Sequence, residues 1–273
     1  MDVKIIDARD RSPFPPLDEL WRHRELIWLF AKRYLASRYR QMALGTAWAV
    51  LEPLAQLALM TVVFGFLLRV DTNEYPYAIY VFTALIPWQH FTRTTLAVAG
   101  SLQENITLIS KVYFPRIVLP IAAVLRELFD TALQFGILLL LAMAFGYYAS
   151  WKVLVLGPLV LLGISLAGAG LGLWVAAVIV KFRDIRPVLG IVLQAGMYLS
   201  PVLYAASVVP ERFRFFYQLN PMYWPLETFR WLLLDQPMTL SMALPIALAL
   251  VAVVFVSGLV VFSLNERKTV DVL

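Results

Sequence analysis

Little in this chain is equipped for covalent chemistry. Cysteine is absent, which removes disulfides, thiolate metal sites and cysteine nucleophiles together. His23 and His90 are the histidines, so a zinc or iron site would have to complete its shell with carboxylates, and none is spaced for that. No GxxxxGK[ST] occurs, nor even one Gly-Lys pair, so the chain has no P-loop for ATP. The glycines of GAGLGL at 168–173 lie inside a long apolar run. Gly168 and Gly172, four apart, read there as a face against which a neighbouring helix packs closely. The sequon at Asn105 and Thr107 falls on a segment that charge counting places in the cytoplasm, and is a chance match. What remains is charge in apolar surroundings: Glu52, Arg93, Arg126, Glu127 and Asp130. Such charges cost about 2.5–3.5 kcal/mol at a bilayer centre and often mark ion paths. Arg126 and Asp130, four apart, are expected to pair on one helix, and Glu52 lies about one turn into its run, near the interface. The paired halves with broken helices typical of ion-coupled carriers are not found.

The elements that must hold these residues are membrane helices. Hydrophobic residues make up 61% of the 273 residues and charged ones 15%, with mean hydropathy +0.75. Soluble domains sit near about 45–50% and about 25%. We read an all-α integral membrane protein with six transmembrane helices, at 47–68, 76–99, 118–146, 153–180, 187–205 and 242–264. Outside them, Lys and Arg number nine in 1–46, two in 100–117, three in 181–186 and two in the tail, against five on the other side. The positive-inside bias therefore puts both termini in the cytoplasm. The N-terminus has no basic patch followed by an apolar core, so no signal peptide is read.

The domain plan is a cytoplasmic segment 1–46, a six-span domain 47–264 and a tail 265–273. In the first, Leu17, Leu20, Trp21, Ile27, Trp28, Ala31 and Leu35 share one face of an amphipathic helix lying on the inner membrane surface. Between spans two and three, residues 103–116 (QENITLISKVYFPR) place Ile106, Ile109, Val112 and Tyr113 along a stripe about two turns long, with Lys111 and Arg116 as polar handles and Pro115 as its stop. So short a helix is unstable alone in water and needs something to dock on. The external stretch 206–241 is aromatic and broken by Pro210, Pro221, Pro225 and Pro237, which predicts short re-entrant or interfacial helices rather than a seventh span.

Four blocks carry a resemblance. RYLASRYRQMALGTAWAVLEPL supplies Arg38, Tyr39, Arg40, Leu44, Gly45, Ala47, Trp48 and Pro53; NITLISKVYFPRIVLP follows span two, VKFRDIRPVL span four and SPVLYAASVVPERFRFFYQLNPM span five. In this order the chain, from about residue 20 onward, resembles the type-2 ABC transporter permeases that export polysaccharides, most nearly the O-antigen subgroup. The resemblance implies a homodimer bound to two copies of a separate P-loop ATPase, which carries ATP and Mg, while this chain is no enzyme and holds no cofactor or metal. It implies that 103–116 is a coupling helix, with Ile106, Ile109, Lys111, Val112, Tyr113, Phe114 and Arg116 meeting the ATPase. It implies a lipid-linked polysaccharide as cargo in the bacterial inner membrane, and no nucleic acid partner despite the net charge of +5. Channel-lining candidates are Glu52, Gln56 and Met60 on span one and Gln194, Met197, Tyr198 and Tyr204 on or after span five. Arg33, Arg38 and Arg40 are candidates for the substrate headgroup, or anchors to anionic lipid. A type-2 permease for a drug or lipid, a membrane enzyme of lipid or glycan metabolism and an ion-coupled carrier are the alternatives.

Overall fold

The computed structural model describes residues 17–39, 47–72, 75–112, 114–179, 182 and 184–268; for Leu17, residues 37–39, Ala49 and residues 266–268 it describes the backbone alone. Among them every regular element is a helix. These are α1 (Leu17–Arg22), α2 (Arg24–Tyr39), α3 (Trp48–Met60, continued as a π-helical stretch Thr61–Leu67), α4 (Tyr77–Gly100), a 3-10 turn Gln103–Asn105, α5 (Ile106–Ile109), α6 (Val118–Ala144), α7 (Trp151–Ile179), α8 (Ile185–Tyr198), α9 (Glu211–Gln218), α10 (Tyr223–Leu234) and α11 (Ala243–Lys268). Among the described residues, four stretches are long and apolar enough to cross a membrane: Val50–Leu67, Val118–Ala144, Trp151–Ile179 and Ala243–Asn265.

The other two expected spans are helices of a different kind. α4, at 24 residues, reaches about 36 Å and carries Thr83, Gln89, His90, Thr92, Arg93, Thr94 and Thr95. It tolerates them because it is the axis of the bundle: α6 and α7 flank it, α10 packs on it, and most of its residues are buried. Sheathed by other helices, it keeps its polar groups away from lipid and pairs several of them inside the protein. His90 illustrates this, with Nδ1 2.7 Å from Thr131 Oγ1 on α6 and Nε2 2.7 Å from Ser165 Oγ on α7. α8 stops at Tyr198, short of the expected 205, and its 14 residues span about 21 Å. Pro201 disfavours helical geometry at Ser200, and the chain instead folds Ser200, Val202 and Leu203 inward as buried turns.

Close approach around α7 depends on its glycines. A Cβ on Gly168 would lie 3.0 Å from the Phe91 carbonyl oxygen, and one on Gly172 2.7 Å from Val98 Cβ, so this pair seats α4 as its spacing predicts. Gly170 turns the other way, toward α11, where a Cβ on Gly258 would come within 2.5 Å of the Gly170 oxygen. One short glycine cluster thus serves two neighbours.

The amphipathic N-terminal segment divides its apolar residues between two surfaces. Ile27, Phe30 and Ala31, with Tyr34 beside them, dock on Val118, Leu119, Ala122 and Ala123 of α6. Trp21 and Trp28, expected on the same face, stay exposed beside that contact. The docked stripe follows the i, i+3, i+4 period, which leaves the tryptophans outside the contact.

Candidate functional site

α3 and α4 run antiparallel, so residues near the start of α3 meet residues near the end of α4. Arg93 Nη2 lies 3.3 Å from Glu52 Oε1 and donates to Gln89 Oε1 at 3.2 Å, while Gln89 Nε2 donates to Gln56 Oε1. α8 supplies the third wall with Gly190, Leu193, Gln194 and Met197. Together with Trp88, Thr92 and Leu96 these residues line a groove of about 290 Å³. On its outer side α8 presents Pro187, Ile191, Ala195 and Tyr198 around a wider apolar depression of about 510 Å³.

Of the expected channel residues, Glu52, Gln56, Gln194 and Met197 meet in this groove, while Tyr198 lines the depression on the outer side of α8. Met60 does not reach it and is buried in the core. Eight residues beyond Glu52, the helix has rotated it about 80° away. Tyr204 stands apart as well, donating to the Tyr198 carbonyl at 3.0 Å and meeting the Tyr217 hydroxyl at 3.1 Å. The α4 wall was missed, although Gln89, Thr92, Arg93 and Leu96 have the i, i+3, i+4, i+7 spacing of a single helix face.

At the end of the bundle where α4 finishes, the segment 103–116 is less helical than expected: a 3-10 turn, the four residues of α5, then turns. Ile106, Lys111 and Val112 are exposed. Ile109 is half-buried, and Phe114 is buried with its ring 5.7 Å from that of Phe30. Phe114 therefore fastens the segment to α2. Arg116 is half-buried, and Tyr113 lies outside the described residues. Asn105 Nδ2 donates to the Tyr34 hydroxyl, and burial pushes that phenol up, keeping it neutral. Arg33 is exposed on α2, while the Arg38 side chain and Arg40 lie outside the described residues.

Two ties join this segment to its neighbours: Gln103 Nε2 donates to the Ile179 carbonyl at 2.9 Å, and Glu104 Oε1 accepts from Arg186 Nη2 at 2.8 Å. Arg186 belongs to the first turn of α8, so the segment grips the helix that walls the groove.

Arg126 corrects the expected Arg126–Asp130 pair. It bonds Glu127, with Nε at 2.8 Å and Nη2 at 2.6 Å from Oε1, because it reaches back over the Tyr34 ring, 4.9 Å from the centroid. The sequence also gave no sign of Arg230, which counted as an external charge. On α10 it is fully buried, 2.7 Å from Glu227 Oε1 and 2.6 Å from the Pro201 carbonyl oxygen, over the face of Tyr80 at 3.9 Å. It belongs to the stretch between α8 and α11, where α9 and α10 are two short helices. There, burial pushes the Tyr217 phenol up.

Residues 25–234 match the model of the ABC-2 type transporter family. The chain is 30% identical over 193 residues to the O-antigen export system permease protein RfbA of Myxococcus xanthus, covering 71% of this chain and 73% of that one. A protein of the same name from Klebsiella pneumoniae is 25% identical over 202 residues, 72% and 76% of the two chains. The polysialic acid transport protein KpsM of Escherichia coli is 26% identical over 197 residues, 70% and 74% of the two.

Proposed function

We propose, on the premise that this chain belongs to the ABC-2 type transporter family, that it is the membrane permease of a polysaccharide exporter and carries a lipid-linked, O-antigen-like chain across the bacterial inner membrane. The observation that carries the reading is a polar groove on the flank of the bundle rather than enclosed within it. A polymer too long to be enclosed needs a continuous path, and a second copy facing α3 and α8 would close one. The bare apolar surfaces of α3 and α8, with Leu51, Leu59, Val188 and Ile191 exposed, support that homodimer.

In this reading α3, α4, α6, α7, α8 with its following turns, and α11 are the six spans, and the lysine and arginine distribution puts both termini in the cytoplasm. Two P-loop ATPase copies bind below, supplying ATP and Mg, and the chain itself performs no covalent chemistry. Closure of the ATPases presses on Ile106, Lys111 and Val112, and the segment 103–116 passes the movement to α2 and α8. Self-pairing of Arg126 with the buried Glu127 argues against an ion-coupled carrier, whose charges would have to stay available.

The test is native mass spectrometry of the gently extracted complex, alongside Lys111→Glu with Val112→Glu, two exposed positions whose change spares the fold. Two permeases with two ATPases are expected, with the ATPases lost from the double variant. A permease that never carries an ATPase refutes the reading.

A further inference from the structure

Among the described residues, three largely buried arginines have carboxylate partners, and they differ in a way that assigns one of them a ligand. Arg230 is shut in: a carboxylate, two backbone carbonyls and an aromatic face surround a guanidinium that is 0% exposed, and its one unpaired donor, Nε, is buried out of reach of any ligand. Arg126 puts two nitrogens on Glu127, which is itself buried. Arg93 is held loosely. Its partner Glu52 is 53% exposed and stands 3.3 Å away, and both of its contacts fall on the single nitrogen Nη2. Among the described residues its Nη1 and Nε donors are uncommitted.

We propose that Arg93 is the binding point for a phosphate-bearing headgroup of the lipid-linked substrate, and that Glu52 holds the site when empty and is displaced when the anion enters. This rests on the polysaccharide-exporter reading. A guanidinium offers a planar fork that matches two oxygens of a phosphate, and such charge-assisted bonds are the strong ones. The groove has the remaining parts. Gln56 and Gln194 have amides there, and Thr92 Oγ1 is buried without a partner. Its volume of about 290 Å³ is many times the ~30 Å³ share of one water. Its height also fits. Arg93 lies seven residues before the end of α4 and Glu52 four after the start of α3, about 6 to 10 Å along each helix. Both ends lie on the side of 103–116, so the site stands just within the inner leaflet, where a lipid's headgroup arrives. Glu52 supplies the counter-charge that keeps Arg93 tolerable between turnovers, and a diphosphate outcompetes a single carboxylate by its greater charge.

The test is binding to the purified permease–ATPase complex in nanodiscs, with polyprenyl diphosphate, the phosphate-free polyprenol and inorganic pyrophosphate as probes. Arg93→Gln should weaken polyprenyl diphosphate roughly tenfold or more and leave polyprenol unchanged. Glu52→Gln should tighten it several-fold, because the internal competitor is gone. Opposite signs are the signature, since a merely structural ion pair would make both variants weaken alike. Pyrophosphate competing with the lipid assigns the recognition to the anion rather than the tail. Equal weakening in both variants, or no change in Arg93→Gln, overturns the site while leaving the exporter reading intact. A wild-type complex that binds no diphosphate lipid overturns the site, and the absence of polysaccharide transport in the same preparation overturns the exporter reading with it.

Discussion

Replacing Arg230 by Met should be among the most damaging single changes in the chain. Arg230 ties α10 to α4 through Tyr80 and to the turns after α8 through the carbonyls of Pro201 and Val202. Removing it leaves Glu227 buried with only the Gln236 amide, 3.3 Å from Oε2, in place of a cation. Breaking one side of a buried pair costs about 3–5 kcal/mol. At about 2–4 °C per kcal/mol for chains approaching this length, the midpoint of thermal aggregation in detergent should fall by roughly 6–20 °C. Arg230→Met with Glu227→Leu should recover most of that loss, because an apolar replacement of the whole pair removes the stranded charge. The assay is size-exclusion chromatography after a temperature ramp, comparing wild type, the single variant and the double. A single variant within about 2 °C of wild type, or a double variant no better than the single, would refute the account of this pair as a buried clamp.

The glycine seats give a sharper steric contrast. Gly258→Ala should destabilise by about 1–3 kcal/mol, since its Cβ meets backbone at 2.5 Å, whereas Gly163→Ala, with nothing within 4 Å, should be neutral or mildly stabilising in the same ramp. Beside the 103–116 segment, Glu104→Arg or Arg186→Glu alone should leave ATP hydrolysis running while export falls, and the exchanged pair should restore export. Failure of the exchange to rescue would show that the 2.8 Å bond does not carry the coupling.

The helices were readable wherever apolar periodicity alone decides them. α3, α6, α7 and α11 lie where long apolar runs put them, and the glycine spacing foretold the α7 seat on α4. What periodicity cannot report is which neighbours surround a helix. α4 reads as one more span, yet its polar residues are tolerated because α6, α7 and α10 cover them, and the groove face of Gln89, Thr92 and Arg93 follows from that position. Arg230 was opaque for a similar reason. In sequence it is one charge in an aromatic stretch among prolines, and its burial depends on Tyr80 and Pro201, about 150 and 30 residues away. Arg126 chose Glu127 over the better-spaced Asp130 because Tyr34, from a helix far along the chain, draws the guanidinium aside.

α8 emerges as the element best placed to move. It is short, its described burial is confined to Leu189, Leu193 and Met197, and much of its remaining surface is open. Its two ends, by contrast, are fastened: Arg186 to Glu104 beside the 103–116 segment, and the turns after Tyr198 to Arg230, to Asn220 through Ser200, and to the Tyr77 hydroxyl through the Leu203 carbonyl. A helix gripped at its ends and lightly packed between them can shift as a rod without opening the core, because few buried contacts have to break. Gln194 and Met197 ride on that rod and face Arg93 and Glu52 across the groove. On the proposed reading, a displacement of the 103–116 segment would change the width of the groove before disturbing α4, α6 or α7, which is the order of events a polymer exporter needs: the path adjusts while the scaffold holds.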